Sequence, residues 1–320
     1  MSETNGRPIV LLAMGGHAFM KRGEKGDIND HERNATAICA SIMTLVERDY
    51  NLVVTHGNGP QVGNLLLQNE LTLDSVPSMP LDVLVANTEG FLGYVLQQAL
   101  LNQLRRRQIK RYVVTMITQV LVEGDDPAFQ NPSKPIGPFL TKEQAEDRRD
   151  RLGWKIVEDS GRGWRRLVAS PRPVRVVQRF MIRDSARAGH IVVACGGGGI
   201  PIIRNQEKDY VGVEAVIDKD LTSSVLAAEI GAELLIILTD VPQVYVNYGQ
   251  PSQRALGAVT LEEIEALQSE GHFGRGSMGP KVEAIINFLK AGGKRGLVTS
   301  PACLADALDG RAGTHFVGKI

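Results

Sequence analysis

Three lysines and three glycine clusters carry most of the chemistry this sequence offers. Lys219 lies between two aspartates in "GVEAVIDKDLTSS", Lys281 follows Gly279-Pro280 in "GSMGPKVEA", and Lys134 stands among prolines in "NPSKPIGP". Taken alone, Lys219 has two readings: a surface charge cluster of modest energetic value, or a cation aimed at phosphate oxygens and placed by a neighbouring carboxylate. Lys281 falls in the first turn of a helix opened by Gly-Pro, where a cation opposes the helix dipole. That unfavourable placement points to an anionic ligand that compensates for it. Lys134 is a solvated lysine unless the stiff backbone of its prolines aims it somewhere. The glycine clusters are "MGGH" (14–17), "HGNGPQVG" (56–63) and "CGGGGIP" (195–201). Each exposes backbone N–H groups and lets an anion come closer than any side chain would allow. His17, directly after the first pair of glycines, is expected on the rim of whatever approaches.

The elements that must position these residues are legible as short β-branched runs: 9–14, 51–55, 111–117, 190–195, 234–239 and 296–300. Nearly continuous apolar runs of this length are the pattern of strands buried on both faces of a parallel sheet. Helix candidates lie between them at 30–48, 81–107, 218–231 and 279–291, which calls for right-handed crossovers and helices on both faces. In such a sheet ligands bind at the carboxyl ends of the strands, and each glycine cluster follows a strand. None matches G-x-x-x-x-G-K-[ST], and no G-x-G-x-x-G follows the first strand, so P-loop and ordinary dinucleotide sites are disfavoured. Leu221, Val225, Leu226 and Ile230 read as the buried stripe of the 218–231 helix, with Asp218 or Asp220 as its cap and Lys219 off the stripe. One stretch, 121–168, breaks the alternation with proline, glycine and charge. A loop of that length is improbable in a compact domain, so it reads as a small protruding subdomain, a lid, with a helix at 141–151.

Composition narrows the classes further. The 320 residues carry 36 basic and 36 acidic side chains, so no global field attracts nucleic acid or an anionic membrane. The basic run "RRRQIKR" (105–111) closes a helix, where cations complement the dipole. Cys39, Cys195 and Cys303 form no Cys-x-x-Cys pair, arguing against a disulfide framework or zinc site and for a reducing, cytoplasmic setting. His31, His190, His272 and His315 have no metal-ligand spacing. The N-terminus has no basic start or cleavage site, and no apolar run approaches the ~20 residues that span a bilayer. The expectation is a soluble protein that is not exported.

In combination, "AMGGHAF", "HGNGPQVG", "NPSKPIGP", "CGGGGIP", "GVEAVIDKD", "LTDV", "NYG" and "GSMGPKVEA" resemble the carbamate kinases of the amino acid kinase superfamily. The resemblance runs from the first strand to "GRAGT" near the C-terminus. It implies a three-layer α/β fold, an open and mainly parallel eight-stranded sheet between helical layers, usually assembled as a homodimer. It also implies reversible phosphoryl transfer between ATP/ADP and carbamate/carbamoyl phosphate with Mg2+, serving arginine or purine-derived nitrogen breakdown. On this resemblance 1–320 is one amino acid kinase domain. Residues 8–190 form its small-substrate side, 121–168 the protruding subdomain and 191–320 the nucleotide-binding half. The resemblance further assigns Lys219 and Lys281 to the transferred phosphoryl and nucleotide phosphates, with Asp220 orienting them and Lys134 reaching in from the subdomain. Gly15, Gly16, His17, Gly57, Asn58, Gly59, Gly197 and Gly198 fall on the carbamate or carbamoyl phosphate side. Thr239, Asp240, Tyr245, Gly279 and Pro280 fall on the nucleotide side, over which the glycine-rich 271–280 segment could close. No metal ligand is assigned.

Three residues depart from the family's pattern. His17 replaces the usual Asn, Glu89 in "NTEGFLGY" replaces the usual Gln, and Pro242-Gln243 replaces Asp-Gly after "LTDV". His17 is bulkier than Asn and able to become cationic; Glu89 would add negative charge if it pointed inward, or would face solvent or pair with His17. A nucleotide-binding relative with another small acidic acceptor, or a regulatory role without turnover, is therefore the alternative to a carbamate kinase.

Overall fold

A computed structural model of the chain describes residues 6–15, 18–21, 23–159, 161–274 and 278–318. Gly16, His17 and part of the 271–280 segment, Arg275–Ser277, lie outside the described residues. Eight strands share one sheet: β1 (Ile9–Met14), β2 (Asn51–His56), β3 (Val113–Thr115), β4 (Ile191–Val193), β5 (Leu234–Leu238), β6 (Ala258–Thr260), β7 (Arg295–Thr299) and β8 (Thr314–Val317). Their order is β6-β8-β7-β5-β1-β2-β4-β3, and every neighbouring pair is parallel except β7 and β8. The mainly parallel eight-stranded sheet implied by the family resemblance is therefore present.

The continuous apolar runs follow from burial on both faces. In β1, Ile9, Leu11 and Ala13 point into one core while Val10, Leu12 and Met14 point into the other. β5 does the same, with Leu235 and Ile237 on the first side and Leu234, Ile236 and Leu238 on the second. Side chains alternate across a strand, so two apolar cores demand that every residue be apolar. The covering helices include α1 (Ile28–Glu47), α2 (Gly59–Leu71), α3 (Leu81–Arg106), α4 (Lys142–Leu152), α5 (Arg179–Arg187), α6 (Lys219–Glu229), α7 (Leu261–Ser269) and α8 (Met278–Lys290). Buried residues of α1 and α3 enter the second core, and those of α5, α6, α7 and α8 the first.

The chain first lays β2, β4 and β3 on one side of β1 and then places β5, β7, β8 and β6 on the other. That reversal falls beside β1, and sheets of this kind take ligands in the crevice at the carboxyl edge of such a reversal. β4 sits among the N-terminal strands even though it follows residue 190. Four further strands, Gln119–Val122, Pro173–Val176, Ile200–Arg204 and Tyr210–Gly212, form a second sheet that strand patterning alone does not reveal. Tyr210–Gly212 is exposed throughout, so no apolar alternation marks it.

The stretch that breaks the alternation contains its own antiparallel sheet, Lys134–Leu140, Trp164–Val168 and Lys155–Glu158 in that order, together with α4. A reciprocal capping box, Thr141 with Gln144, starts α4. This unit rests on α2. A Cβ on Gly63 would lie 1.9 Å from the Gly137 Cα, so the contact requires glycine at position 63. Glu70 on α2 faces Arg148 at 3.7 Å and Arg166 at 3.5 Å, and both guanidinium groups also lie over the Trp154 ring. Among the described residues no helix is long and apolar enough to cross a membrane.

Candidate active site

The N-terminus of α6 gathers the charged residues. Asp218 is the N-cap, its Oδ1 accepting the N–H groups of Asp220 at 2.9 Å and Leu221 at 3.3 Å. Its other oxygen accepts from Lys134 Nζ at 3.1 Å, which ties the small antiparallel sheet to α6. Asp220 bridges two lysines: Oδ1 accepts from Lys219 Nζ, and Oδ2 from Lys281 Nζ at 3.1 Å. Residues far apart in the chain thus make one alternating network of three cations and two carboxylates.

The surface-cluster reading of Lys219 is corrected here, because Lys219 and Asp220 are both buried. The buried face of α6 comprises Lys219, Asp220, Thr222, Ser223, Ser224, Leu226 and Ala227, while Leu221 and Val225 are only half-buried. The apolar-stripe reading holds for Leu226 and Ile230, both buried in the core, and is incomplete because polar side chains beside them are buried with internal partners. Thr222 Oγ1 donates to Gly198 O at 2.9 Å, and Ser223 Oγ meets Lys219 O and Thr55 Oγ1, each at 2.6 Å. A buried hydroxyl with a partner avoids the cost of an unmade bond.

Burial pulls the Lys219 ammonium below its ordinary range, with Asp220 opposing that shift. Burial also acts to lower Lys281, but the charge and hydrogen bond of Asp220 outweigh it and raise its pKa. For Asp218 burial acts upward, yet Lys134 and Lys219 hold its carboxyl well below the usual carboxylate range. The network is consequently ionised around neutral pH at Asp218 and Lys281, and Lys219 is the cation with most to gain from an incoming anion.

A glycine-lined wall faces this network. Gly57, after β2, donates its N–H to Met14 O at 3.0 Å. Asn58 precedes α2, and its Nδ2 donates to Thr88 Oγ1 at 2.8 Å, not to its own helix. Gly59 and Pro60 open α2. After β4, Cys195 (φ 52°) leads into Gly197 (φ 68°), Gly198 (φ 98°) and Gly199 (φ 84°), left-handed positions that side chains rarely adopt. A Cβ on Gly197 would lie 2.1 Å from Asn58 Nδ2, and one on Gly198 2.4 Å from Ile217 O. The turn is therefore wedged between the Gly57–Gly59 loop and the segment leading to α6, and any side chain would separate them.

Two residues behind this turn take positions that their motifs alone do not fix. Glu89 on α3 points inward, fully buried, with Oε1 accepting from Gly196 N and Oε2 from Thr118 N, each at 2.9 Å. The solvent-facing reading is thereby excluded for Glu89. His56 is also fully buried; its Nδ1 meets Gly57 O at 3.1 Å, and among the described residues its Nε2 has no hydrogen-bond partner. Burial pushes His56 down to about 4, so the ring is neutral. Its position inside "HGNGPQVG" was the available signal.

Of the remaining predicted residues, Gly15 follows β1 and its carbonyl accepts from Ala18 N at 3.0 Å. Thr239 follows β5 and is tied to Thr299 O at 2.9 Å; Asp240 is exposed, and its charge reaches Lys281. Gly279 and Pro280 lie in the first turn of α8, just before Lys281. Tyr245 packs its ring 5.8 Å from that of Tyr248; among the described residues no hydrogen bond joins Tyr245 or Thr239 to the three lysines. Gln243, in the Pro242-Gln243 departure, donates to Gly313 O at 3.3 Å.

The arrangement offers lysine ammonium groups, the α6 and α8 N-termini and backbone turns along one sheet edge. It can neutralise and align a polyanion. Residues 8–300 match the amino acid kinase family. Over 311 residues the chain is 45% identical to a carbamate kinase of Thermococcus kodakarensis, covering 96% of this chain and 98% of the relative. Its structure is similar to that of the carbamate kinase from Giardia lamblia bound to citric acid, with a TM-score of 0.93, 41% identity and 100% of both chains covered. The same Giardia enzyme bound to AMP-PNP gives a TM-score of 0.91 at 41% identity, again over 100% of both chains.

Proposed function

The chain belongs to the amino acid kinase family, and from that premise and the site geometry we propose that it transfers a phosphoryl group reversibly between carbamoyl phosphate and ADP, giving carbamate and ATP. The observation that carries this reading is Asp220, one carboxylate holding two lysines at a helix N-terminus on the carboxyl edge of the sheet. In the direction of ATP formation, an oxygen of the ADP β-phosphate attacks phosphorus and the bond from phosphorus to the carbamoyl oxygen breaks. Carbamate leaves as an anion, so no general base is needed. Catalysis then rests on alignment and on neutralising charge spread over the transferred group.

Lys219 and Lys281 supply that neutralisation, held by Asp220. Lys134, now on Asp218, reaches the phosphoryl group when the small antiparallel sheet adjusts around substrate. Gly15, Gly16, His17, the Gly57–Gly59 loop, Gly197 and Gly198 take the carbamoyl end; Thr239, Asp240, Tyr245, Gly279 and Pro280 take the nucleotide. Among the described residues no group of three or more His, Cys, Asp or Glu side chains could hold a metal ion. Asp218 and Asp220 are committed to lysines, so we place magnesium on the nucleotide phosphates as part of the substrate. A coupled assay for ATP formed from carbamoyl phosphate and ADP tests the reading. Saturable nucleotide binding without turnover would overturn it in favour of a regulatory relative.

We also propose a homodimer in a reducing cytoplasm. Tyr94, Tyr112 and Ile117 are exposed beside β3, the edge strand of the main sheet, and a second copy would cover them. Light scattering should report two chains for the wild type and one for Tyr94→Glu; a monomeric wild type removes the proposal.

A further inference from the structure

Glu89 makes an arrangement that only one of its ionisation states fits. Its two oxygens face two backbone N–H donors, Gly196 on the glycine turn and Thr118 on the segment after β3, each at 2.9 Å. A carboxylate accepts at both oxygens, whereas a protonated carboxyl sets a hydroxyl against one of the N–H groups. The turn lies directly on this support: a Cβ on Gly196 would lie 2.6 Å from His56 Nε2 and 3.0 Å from Glu89 Cγ. The Thr118 side chain reinforces it, its Oγ1 accepting from Cys195 N at 3.1 Å and donating to Met116 O at 2.7 Å. On the far side the turn touches Asn58 and, through Gly198 O, Thr222 of α6.

We propose that Glu89 is a positioning residue for the Gly196–Gly199 turn, its ionised form holding the turn in the shape that grips the small anionic substrate and its protonated form loosening that grip. The inference rests on the reading that this turn takes the carbamoyl phosphate end. Burial pushes the Glu89 carboxyl up to about 8, only partly offset by the two N–H bonds, so both forms are populated near neutral pH. The ionisable groups around it are His56 on β2, Cys195 at the head of the turn and, acting on those two, Lys219 and Glu229 of α6. His56 is already neutral near pH 8, and burial holds the Cys195 thiol well above its ordinary range. Lys219 and Glu229 are present in wild type and Glu89 variants alike, so comparing the two isolates Glu89.

Steady-state kinetics of ATP formation between pH 6.5 and 9.5 test the proposal. In the wild type the KM for carbamoyl phosphate should fall about fivefold as pH rises through about 8, the effect of one hydrogen bond, while kcat and the KM for ADP change little. Glu89→Gln should have a flat KM profile, and Glu89→Asp, whose charge is drawn back from the two donors, a raised KM throughout. Melting temperatures give a second readout. A carboxyl raised in the folded state contributes most below its unfolded value and loses that contribution as pH climbs through the folded value. The wild type should therefore lose more stability than Glu89→Gln between pH 5 and 8.

Gly197→Ala separates this inference from the reading beneath it. If that variant leaves the KM for carbamoyl phosphate unchanged, the turn does not touch substrate and both fail. If it raises KM while the wild-type and Glu89→Gln profiles coincide, the inference alone is overturned. A wild-type KM that rises with pH relative to Glu89→Gln also overturns it, since the carboxylate would then act by repelling the substrate.

Discussion

The two walls of the proposed site would hold anions by opposite means. The wall at α6 and α8 uses long charged side chains whose positions depend on carboxylates: Lys219 and Lys281 on Asp220, Lys134 on Asp218. The wall formed by the Gly57–Gly59 loop and the Gly196–Gly199 turn uses backbone, and it depends on side chains being absent, since Cβ atoms at Gly197 and Gly198 would strike Asn58 and Ile217. On the proposed reading the charged wall would supply energy, because each ammonium is worth more against a phosphate in a site poor in water. The backbone wall supplies shape. Errors in the first should therefore appear in turnover, and errors in the second in affinity for the small substrate.

Lys219→Ala tests that division most severely. Turnover should fall about 10²–10³-fold, as on losing one preorganised electrostatic contact, measured as kcat for ATP formation; near-normal turnover would remove Lys219 from the chemistry. Asp220→Asn should act next, because it releases both lysines. Asp220 raises the Lys281 pKa against burial, so without it Lys281 gives up its proton at lower pH. The alkaline fall in kcat should then begin earlier than in the wild type, and an unmoved alkaline limb would contradict the bridging role. Gly63→Ala is the mildest test. Its methyl must push Gly137 away, costing about 1–3 kcal/mol of stability as overpacking does and loosening the unit that carries Lys134. Calorimetry and kcat together report it; an unchanged kcat would show that Lys134 reaches the phosphoryl group whatever the seating of its sheet.

The backbone wall was more legible in the sequence than the charged one, for a physical reason. Glycines that permit close approach have no substitute, so they cluster visibly after strands, and the β-branched runs of β1, β2 and β5 announce a sheet buried on both faces. Helices predicted at 30–48, 81–107, 218–231 and 279–291 lie within two residues of those found. Lys219 was ambiguous because a lysine between aspartates has the same local pattern on a solvated surface as in a buried network. The α6 stripe was read incompletely: Leu226 and Ile230 are buried as expected, but Thr222 and Ser223 are buried too, through partners on other elements. Glu89 and His56 both lie inside recognisable motifs, yet nothing local shows that Glu89 turns inward onto the Gly196 and Thr118 N–H groups or that His56 is fully buried.

By itself the sequence determined the class of fold and the glycine clusters that follow its strands, a pattern that suits an anionic ligand at the carboxyl edge of the sheet. Periodicity and glycine placement act through neighbouring residues and survive in one dimension. Only the tertiary structure decided which lysine shares which carboxylate, that Lys219 is buried, and that Glu89 supports the turn after β4. Those facts depend on distance and on exclusion of water, and both are set by elements that meet across the sheet from distant parts of the chain.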